Sequence, residues 1–300
     1  MAPSPIPMFA SCAEPASLHG LSWLLCYLTS GSHLSFYWSF LTVLVLLAVT
    51  APAALAFGFA GAVAARSQVL PLSILGRTYM AMVRGVPDIV FFLFFLIALD
   101  QGIEWGLHQI RCPDWTLPIR NGLEFRVCPA AKMPPGNAPQ IWHQIYGFWL
   151  AVVTFALVFG AFVANVLTGA MRAVPRAQLE TAESYGMTQG QVFRRILVPQ
   201  MWIYALPGLS NLWMVLIKAT PLLFLLGVQD IVYWARELGG TKTTLFSFPH
   251  PDWRLYYFLV LLAFYLLMTR ISEIVLDRIT RRLSFGQATA AGEAQRKAAQ

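Results

Sequence analysis

The 300 residues are 57% hydrophobic and only 12% charged, with a mean hydropathy of +0.60, whereas a soluble domain carries about 25% charged residues. This composition excludes disorder and collagen, and four cysteines in such a length exclude a disulfide-dense secreted scaffold. The net charge of +7 is scattered among apolar runs, so it bears on orientation in a membrane; nucleic acid is not expected as a partner.

A helix that crosses a bilayer needs about 20 mostly apolar residues. No Asp, Glu, Lys or Arg stands between Glu14 and Arg66, between Lys132 and Arg172, or between Arg195 and Lys218. The chain therefore reads as an all-α integral membrane protein in contact with membrane lipid. Residues 1–36 form an extension that holds Pro3, Pro5, Pro7 and Pro15 but no Lys or Arg, so a cleavable secretory signal is not expected. Its apolar stretch Leu21–Leu28 is too short to span and predicts a short interfacial helix.

Five spans follow within a membrane domain at 37–285, at about 37–64, 86–103, 145–171, 202–228 and 254–276; residues 286–300 form a tail. An odd number of spans puts the two termini on opposite sides. With the N-terminus outside, the inner segments hold twelve Lys and Arg residues and the outer loops seven. Basic residues favour the cytoplasmic side, so the expected topology is N-out and C-in. The outer loop at about 104–144 carries Pro113, Pro118, Pro129, Pro134, Pro135 and Pro139, which predicts an irregular cap and not a sixth helix. Cys112 and Cys128 lie in that loop, either bridged or as two unpaired thiols. Cys12 and Cys26 lie on the same side, and nothing in the sequence decides their state.

The inner segment 174–199 reads as two short helices joined by a turn. Pro175 suits a first helical turn, where a missing N–H costs nothing, and Gly186 suits a left-handed helix end with Met187 after it. Thr188 and Gln191 have the spacing of a capping box. Val192, Phe193, Ile196 and Leu197 form an apolar stripe, Arg194 and Arg195 face water, and Pro199 ends or bends the second helix. Read locally, this is an amphipathic hairpin at the membrane surface.

The exact run carries more. Glu180-Thr181-Ala182, then Gly186, Ile196 and Val198-Pro199 resemble the EAA loop of ABC importer permeases, the coupling element that inserts into the ATP-binding subunit. Arg84-Gly-Val-Pro-Asp-Ile-Val90 resembles the Arg-Gly-x-Pro segment of polar amino acid permeases, and Ala205-Leu-Pro-Gly-Leu-Ser-Asn211, Lys218-Ala-Thr220 and Leu226-Gly-Val-Gln-Asp230 resemble their fourth helix. The likeness covers about 37–285 and is nearest to the histidine and lysine-arginine-ornithine branch with the octopine and nopaline permeases. Thr181 replaces a more usual Ala, Ala164-Asn165 a commoner Ala-Glu, and Thr168 a commoner Arg.

The resemblance implies a permease subunit in a bacterial inner membrane. Its expected partners are a cytoplasmic ATPase that holds ATP and Mg, a second permease chain, identical or paralogous, and a periplasmic solute-binding protein. The chain itself is expected to bind no cofactor or metal and to catalyse nothing. Glu180, Ala182, Gly186 and Arg194 are the coupling candidates; Asp88, Asn165, Lys218 and Thr220 are the candidates for the substrate pathway. Intramembrane charges are costly and usually face a cavity or a partner, yet Asp88 also suits a helix cap after Pro87, and Lys218 suits freed carbonyls or snorkelling.

Competing classes find less support. Gly239-Gly-Thr-Lys-Thr-Thr244 fails the P-loop template, since Ala235 stands where its first Gly belongs and the Lys does not follow the second Gly. The five His residues show no metal spacing, and no Gly-x-Ser-x-Gly elbow occurs. A stand-alone ion-coupled secondary transporter using Asp88 and Lys218 is the remaining alternative; inverted repeats would favour it, and none is visible.

Overall fold

A computed structural model of the chain describes residues 12, 19–83, 85, 87–121, 124–226 and 228–284. Five of its helices are long and apolar enough to cross a membrane. The elements run α1 (Leu21–Leu28), α2 (Gly31–Arg66), α3 (Leu70–Met82), α4 (Asp88–Arg111), β1 (Arg120–Asn121), β2 (Glu124–Phe125), α5 (Gln140–Ala173), α6 (Arg176–Ser184), α7 (Gln189–Val192), α8 (Val198–Ala219), α9 (Ile231–Gly239) and α10 (Arg254–Ser284). The two strands form an antiparallel hairpin with Arg120 opposite Phe125.

Helix α5 is the centre of the bundle. Ala151, Val152, Thr154, Phe155, Ala156, Val158, Phe159, Gly160 and Ala161 are all buried, and a helix that is apolar all round belongs inside. It packs against α2, α3, α4 and α8. Where α2 crosses α5 the backbones nearly touch: a Cβ on Gly58 would lie 2.9 Å from the Gly160 carbonyl and 2.3 Å from Val163 Cγ1. Small residues permit such a crossing, whose gain is dispersion, because lipid is as apolar as a leucine. Around it Phe92 meets Phe155 with ring centroids 4.8 Å apart. The peripheral α10 differs: Leu259, Leu262, Leu266, Leu267 and Ile271 are each more than half exposed, a surface suited to lipid or to another membrane chain.

Several boundaries depart from the expected ones. The first span begins at Gly31, not 37. Helix α4 runs on to Arg111 because its last turns grip the loop that follows. Glu104 accepts from Met133 N–H at 3.2 Å, His108 Nδ1 accepts from Cys128 N–H at 3.1 Å, and Arg111 donates to the Ala130 carbonyl at 2.7 Å. Two helices were not foreseen. Helix α3 lies between α2 and α4 and donates from Tyr79 Oη to the Leu157 carbonyl at 2.6 Å; α9 lies between α8 and α10.

Pro199 neither ends nor breaks its helix. Proline has no N–H for the carbonyl four residues back and crowds it. The preceding turn, Phe193–Leu197, widens to a π turn in which Val198 N–H reaches the Phe193 carbonyl, a common form of helical bulge. Gln189 to Phe224 is thus one 36-residue helix.

At the end of the bundle where α2 and α10 begin, Cys12 and Cys26 are bridged with Cα atoms 5.6 Å apart, and Cys112 and Cys128 are bridged at 6.7 Å. A hydrogen-bonded chain ties α1 to the bundle beside the first bridge. His250 Nδ1 lies 2.7 Å from the Pro251 carbonyl and so carries the proton, since a carbonyl only accepts. Its Nε2, in the neutral ring, then accepts from Tyr27 at 3.0 Å. Tyr257 donates to Tyr27 at 3.1 Å, His33 Nε2 donates to Tyr257 at 2.6 Å, and Ser30 donates to His33 Nδ1 at 3.0 Å. The Tyr27 hydroxyl also faces the Leu238 carbonyl at 3.3 Å.

Candidate functional site

The 174–199 hairpin builds its shape from local rules. Pro175 sits one residue before α6, as its N-cap, and not inside the first turn. Gly186 adopts φ 84°, a left-handed value that costs an L-residue roughly 1–2 kcal/mol. Gly186 N–H bonds the Glu183 carbonyl at 2.9 Å and Met187 N–H the Ala182 carbonyl at 3.2 Å, which is a Schellman end. Thr188 and Gln191 then cap α7 reciprocally: Gln191 Oε1 accepts from Thr188 N–H at 2.9 Å. Each turn therefore satisfies its own backbone, while Leu179 and Phe193 pack the hairpin against the buried cluster of Leu197 and Met201.

Of the coupling candidates, Ala182 is buried while Glu180, Gly186 and Arg194 are exposed. Glu180 makes no ion pair with Arg176 among the described residues, so its carboxylate is open to a partner. Val192 and Leu197 are buried with Arg194 and Arg195 in solvent, as the stripe requires. Tyr185 is 85% exposed at the tip, beside Gly186. The sequence signal for it is an aromatic residue next to a glycine turn, the kind of side chain that anchors interfaces.

The pathway candidates do not converge. Asn165 Nδ2 donates to the Met80 carbonyl at 3.0 Å and to the Ala161 carbonyl at 2.9 Å, and Thr168 Oγ1 lies 3.4 Å from Met80 Sδ. Two of the three positions that depart from the permease pattern thus join α5 to α3. Thr220 is fully buried, bonds the Ile217 carbonyl at 2.9 Å and meets Tyr265 Oη at 2.9 Å. Lys218 is exposed in the last turn of α8, where a cation suits the helix dipole. Asn165 stands 8 residues from the hairpin end of α5 and Lys218 20 residues from that end of α8; at 1.5 Å per residue their depths differ by roughly 18 Å. Asp88 is the first residue of α4; its side chain, with Arg84, Val86 and Gly227 of the motifs, lies outside the described residues.

His108, Cys112 and Cys128 bring ligand-type atoms within 4.8 Å of one another, but the two sulfurs are spent on the disulfide and His108 Nδ1 on a backbone N–H. A buried acid that the sequence reading did not single out is Asp230, the N-cap of α9.

The geometry accords with comparisons to known proteins. The family model described as "Binding-protein-dependent transport system inner membrane component" matches residues 57–285. The histidine/lysine/arginine/ornithine transport system permease protein HisQ of Salmonella typhimurium is 32% identical over 234 residues, covering 78% of this chain and 86% of the relative. The arginine ABC transporter permease protein ArtQ of Escherichia coli is 29% identical over 220 residues, covering 71% and 79%. A solved amino acid ABC transporter with histidines superposes at a TM-score of 0.58 with 21% identity, covering 88% of this chain and 99% of that one. With the family model matching 57–285 and a relative 32% identical over 78% of the chain, the chain belongs to the family of binding-protein-dependent transport system inner membrane components.

Proposed function

We propose that this chain is the membrane-spanning permease subunit of an ATP-driven ABC importer for amino acids, with basic amino acids or opine-like derivatives as the substrate class. The observation that carries this reading is the exposed α6–Gly186–α7 hairpin, self-capped and continuous with a membrane-crossing helix. Glu180, Tyr185 and Arg194 form its docking face for a cytoplasmic ATPase, which holds ATP and Mg and does all the chemistry. A carboxylate at such a face meets a basic or backbone donor on the partner. A second permease chain completes the translocation path, and a periplasmic solute-binding protein delivers substrate at the opposite end, in a bacterial inner membrane.

Two features support an N-out, C-in orientation. Basic residues favour the hairpin end, and both disulfides sit at the other end, where an oxidising compartment keeps them. Cysteines introduced near positions 120 and 245 are expected to label from outside intact cells, and one at 190 is not. ATPase closure draws the hairpins together and tilts the spans as rigid bodies. Lys218 holds a substrate carboxylate and Asp88 adds negative potential for a basic substrate, while Asn165 and Thr220 position α5 and α8 against their neighbours.

Reconstitution with the ATPase and the binding protein tests the assignment. Uptake should follow ATP and ignore ion gradients; the reverse would make the chain a secondary transporter. Gly186→Val should insert and assemble yet lose ligand-stimulated hydrolysis, and normal transport by it would remove the hairpin from coupling. Lys218→Met should abolish uptake with basal hydrolysis intact, and Asp88→Asn should weaken cationic substrates more than neutral ones.

A further inference from the structure

Asp230 is fully buried. Its Oδ1 caps α9 by accepting from Val232 N–H at 3.1 Å and Tyr233 N–H at 2.9 Å. Among the described residues its Oδ2 is buried with no hydrogen-bond partner; Val228, whose carbonyl accepts from Asp230 N–H, and the adjoining Leu223 and Ile231 are each buried. A carboxylate oxygen stripped of water and given nothing in return is costly. A cap needs only one oxygen, and a neutral Asn caps a helix as well as an Asp, so the second oxygen has no structural task here.

Among the described residues no charged group relieves it. The connecting 3₁₀ segment Thr220–Leu226 contains no ionisable residue, and α2 holds no acidic or basic residue before Arg66 except His33, which is tied to Ser30 and Tyr257. On α10, the Tyr265 hydroxyl is bonded to Thr220. Helix α5 bears only His143 and Arg172, near its two ends. On α4, Asp100 accepts from Tyr146 and Glu104 from the Met133 amide. On α9 itself, Arg236 lies over the Phe224 ring at 4.7 Å, and Glu237 pairs with Lys242.

We infer that Asp230 makes the seat of α9 a proton-responsive joint: with a proton on Oδ2 the helix start stays docked in the apolar corner, and ionisation draws it toward water. The joint links the fourth span to the fifth. Burial raises the Asp230 carboxyl, against the pull of the Tyr233 and Val232 amides, to about 7 from 3.8. The sign follows from linkage: an acid whose value is raised in the docked form stabilises docking below its free value, and that stabilisation is lost as pH rises from about 4 to about 7.

The test is amide hydrogen exchange of Val232 and Tyr233 in the reconstituted protein, corrected for the intrinsic pH dependence of exchange. Protection should fall about tenfold per pH unit between about pH 5 and pH 7 and then level off. Asp230→Asn and Asp230→Ser, which keep a capping oxygen without a charge, should both be flat. Infrared spectra should show a protonated carboxyl band that disappears across the same range and is missing from Asp230→Asn. Flat protection in the unmodified protein, or a slope that survives in both variants, would overturn the inference whatever the transported substrate.

Discussion

The two ends of this bundle are held by opposite means. At the end that starts α2 and α10, two disulfides close loops of separation 14 and 16, and a chain of imidazoles and phenols reaches across more than 200 positions; the Tyr27–His250 bond spans 223. At the other end the α6–α7 hairpin is fixed by bonds between residues five or fewer positions apart, the Schellman end and the capping box. The first end is braced as a frame, and its parts lose their places if the rest unfolds. The second takes its turns from local bonds and rests on the bundle through apolar side chains such as Leu179 and Phe193.

That contrast is open to breakage. The Cys112–Cys128 bridge has a sequence separation of 16 and is worth about 3 kcal/mol in the chain-entropy account. Cys112→Ser with Cys128→Ser should therefore lower the denaturant midpoint clearly and speed proteolysis of the 112–139 loop, with the hairpin unchanged. A thiol assay on unreduced, denatured protein should find none of the four cysteines free.

A smaller effect is expected from Tyr27→Phe, which removes the middle of the buried chain and strands His250 Nε2 and the Tyr257 hydroxyl. Leaving buried polar groups unpaired costs about 1–3 kcal/mol, to be read as faster hydrogen exchange in α1 and a lower unfolding temperature. Smallest is Thr188→Ala, a lost helix cap worth about 1 kcal/mol and confined to α7 amides. The Tyr27 and Thr188 changes combined should add to within about 0.5 kcal/mol; stronger coupling would mean the two ends are not independent.

Legibility in the sequence divides along the same line. The hairpin was readable because Pro175, Gly186, Thr188 and Gln191 act on neighbours a few residues away, and the spans were readable because charge-free runs have no other use. The frame was not. Four cysteines allow three pairings, and nothing near Cys12 or Cys26 chooses among them. Nothing around His33 announces Tyr257. Helix α3 was missed because its short segment was read only for its arginines, while its place depends on Ser73 bonding the Ala65 carbonyl and Tyr79 reaching α5. Asn165 looked like a pathway residue for a similar reason: its partner, the Met80 carbonyl, is 85 positions away and is a backbone atom that no side-chain pattern reveals.

The widened turn at Phe193–Leu197 has a mechanical consequence. Had Pro199 broken the helix, the hairpin would hang from a joint and push on the span only through loose chain. Because the turn carries the helix past the proline, α7 and α8 form one lever arm. From Ile196 to Lys218 is about 33 Å at 1.5 Å per residue, so a lean of about 10° at the hairpin sweeps Lys218 sideways by about 6 Å, roughly the width of one side chain.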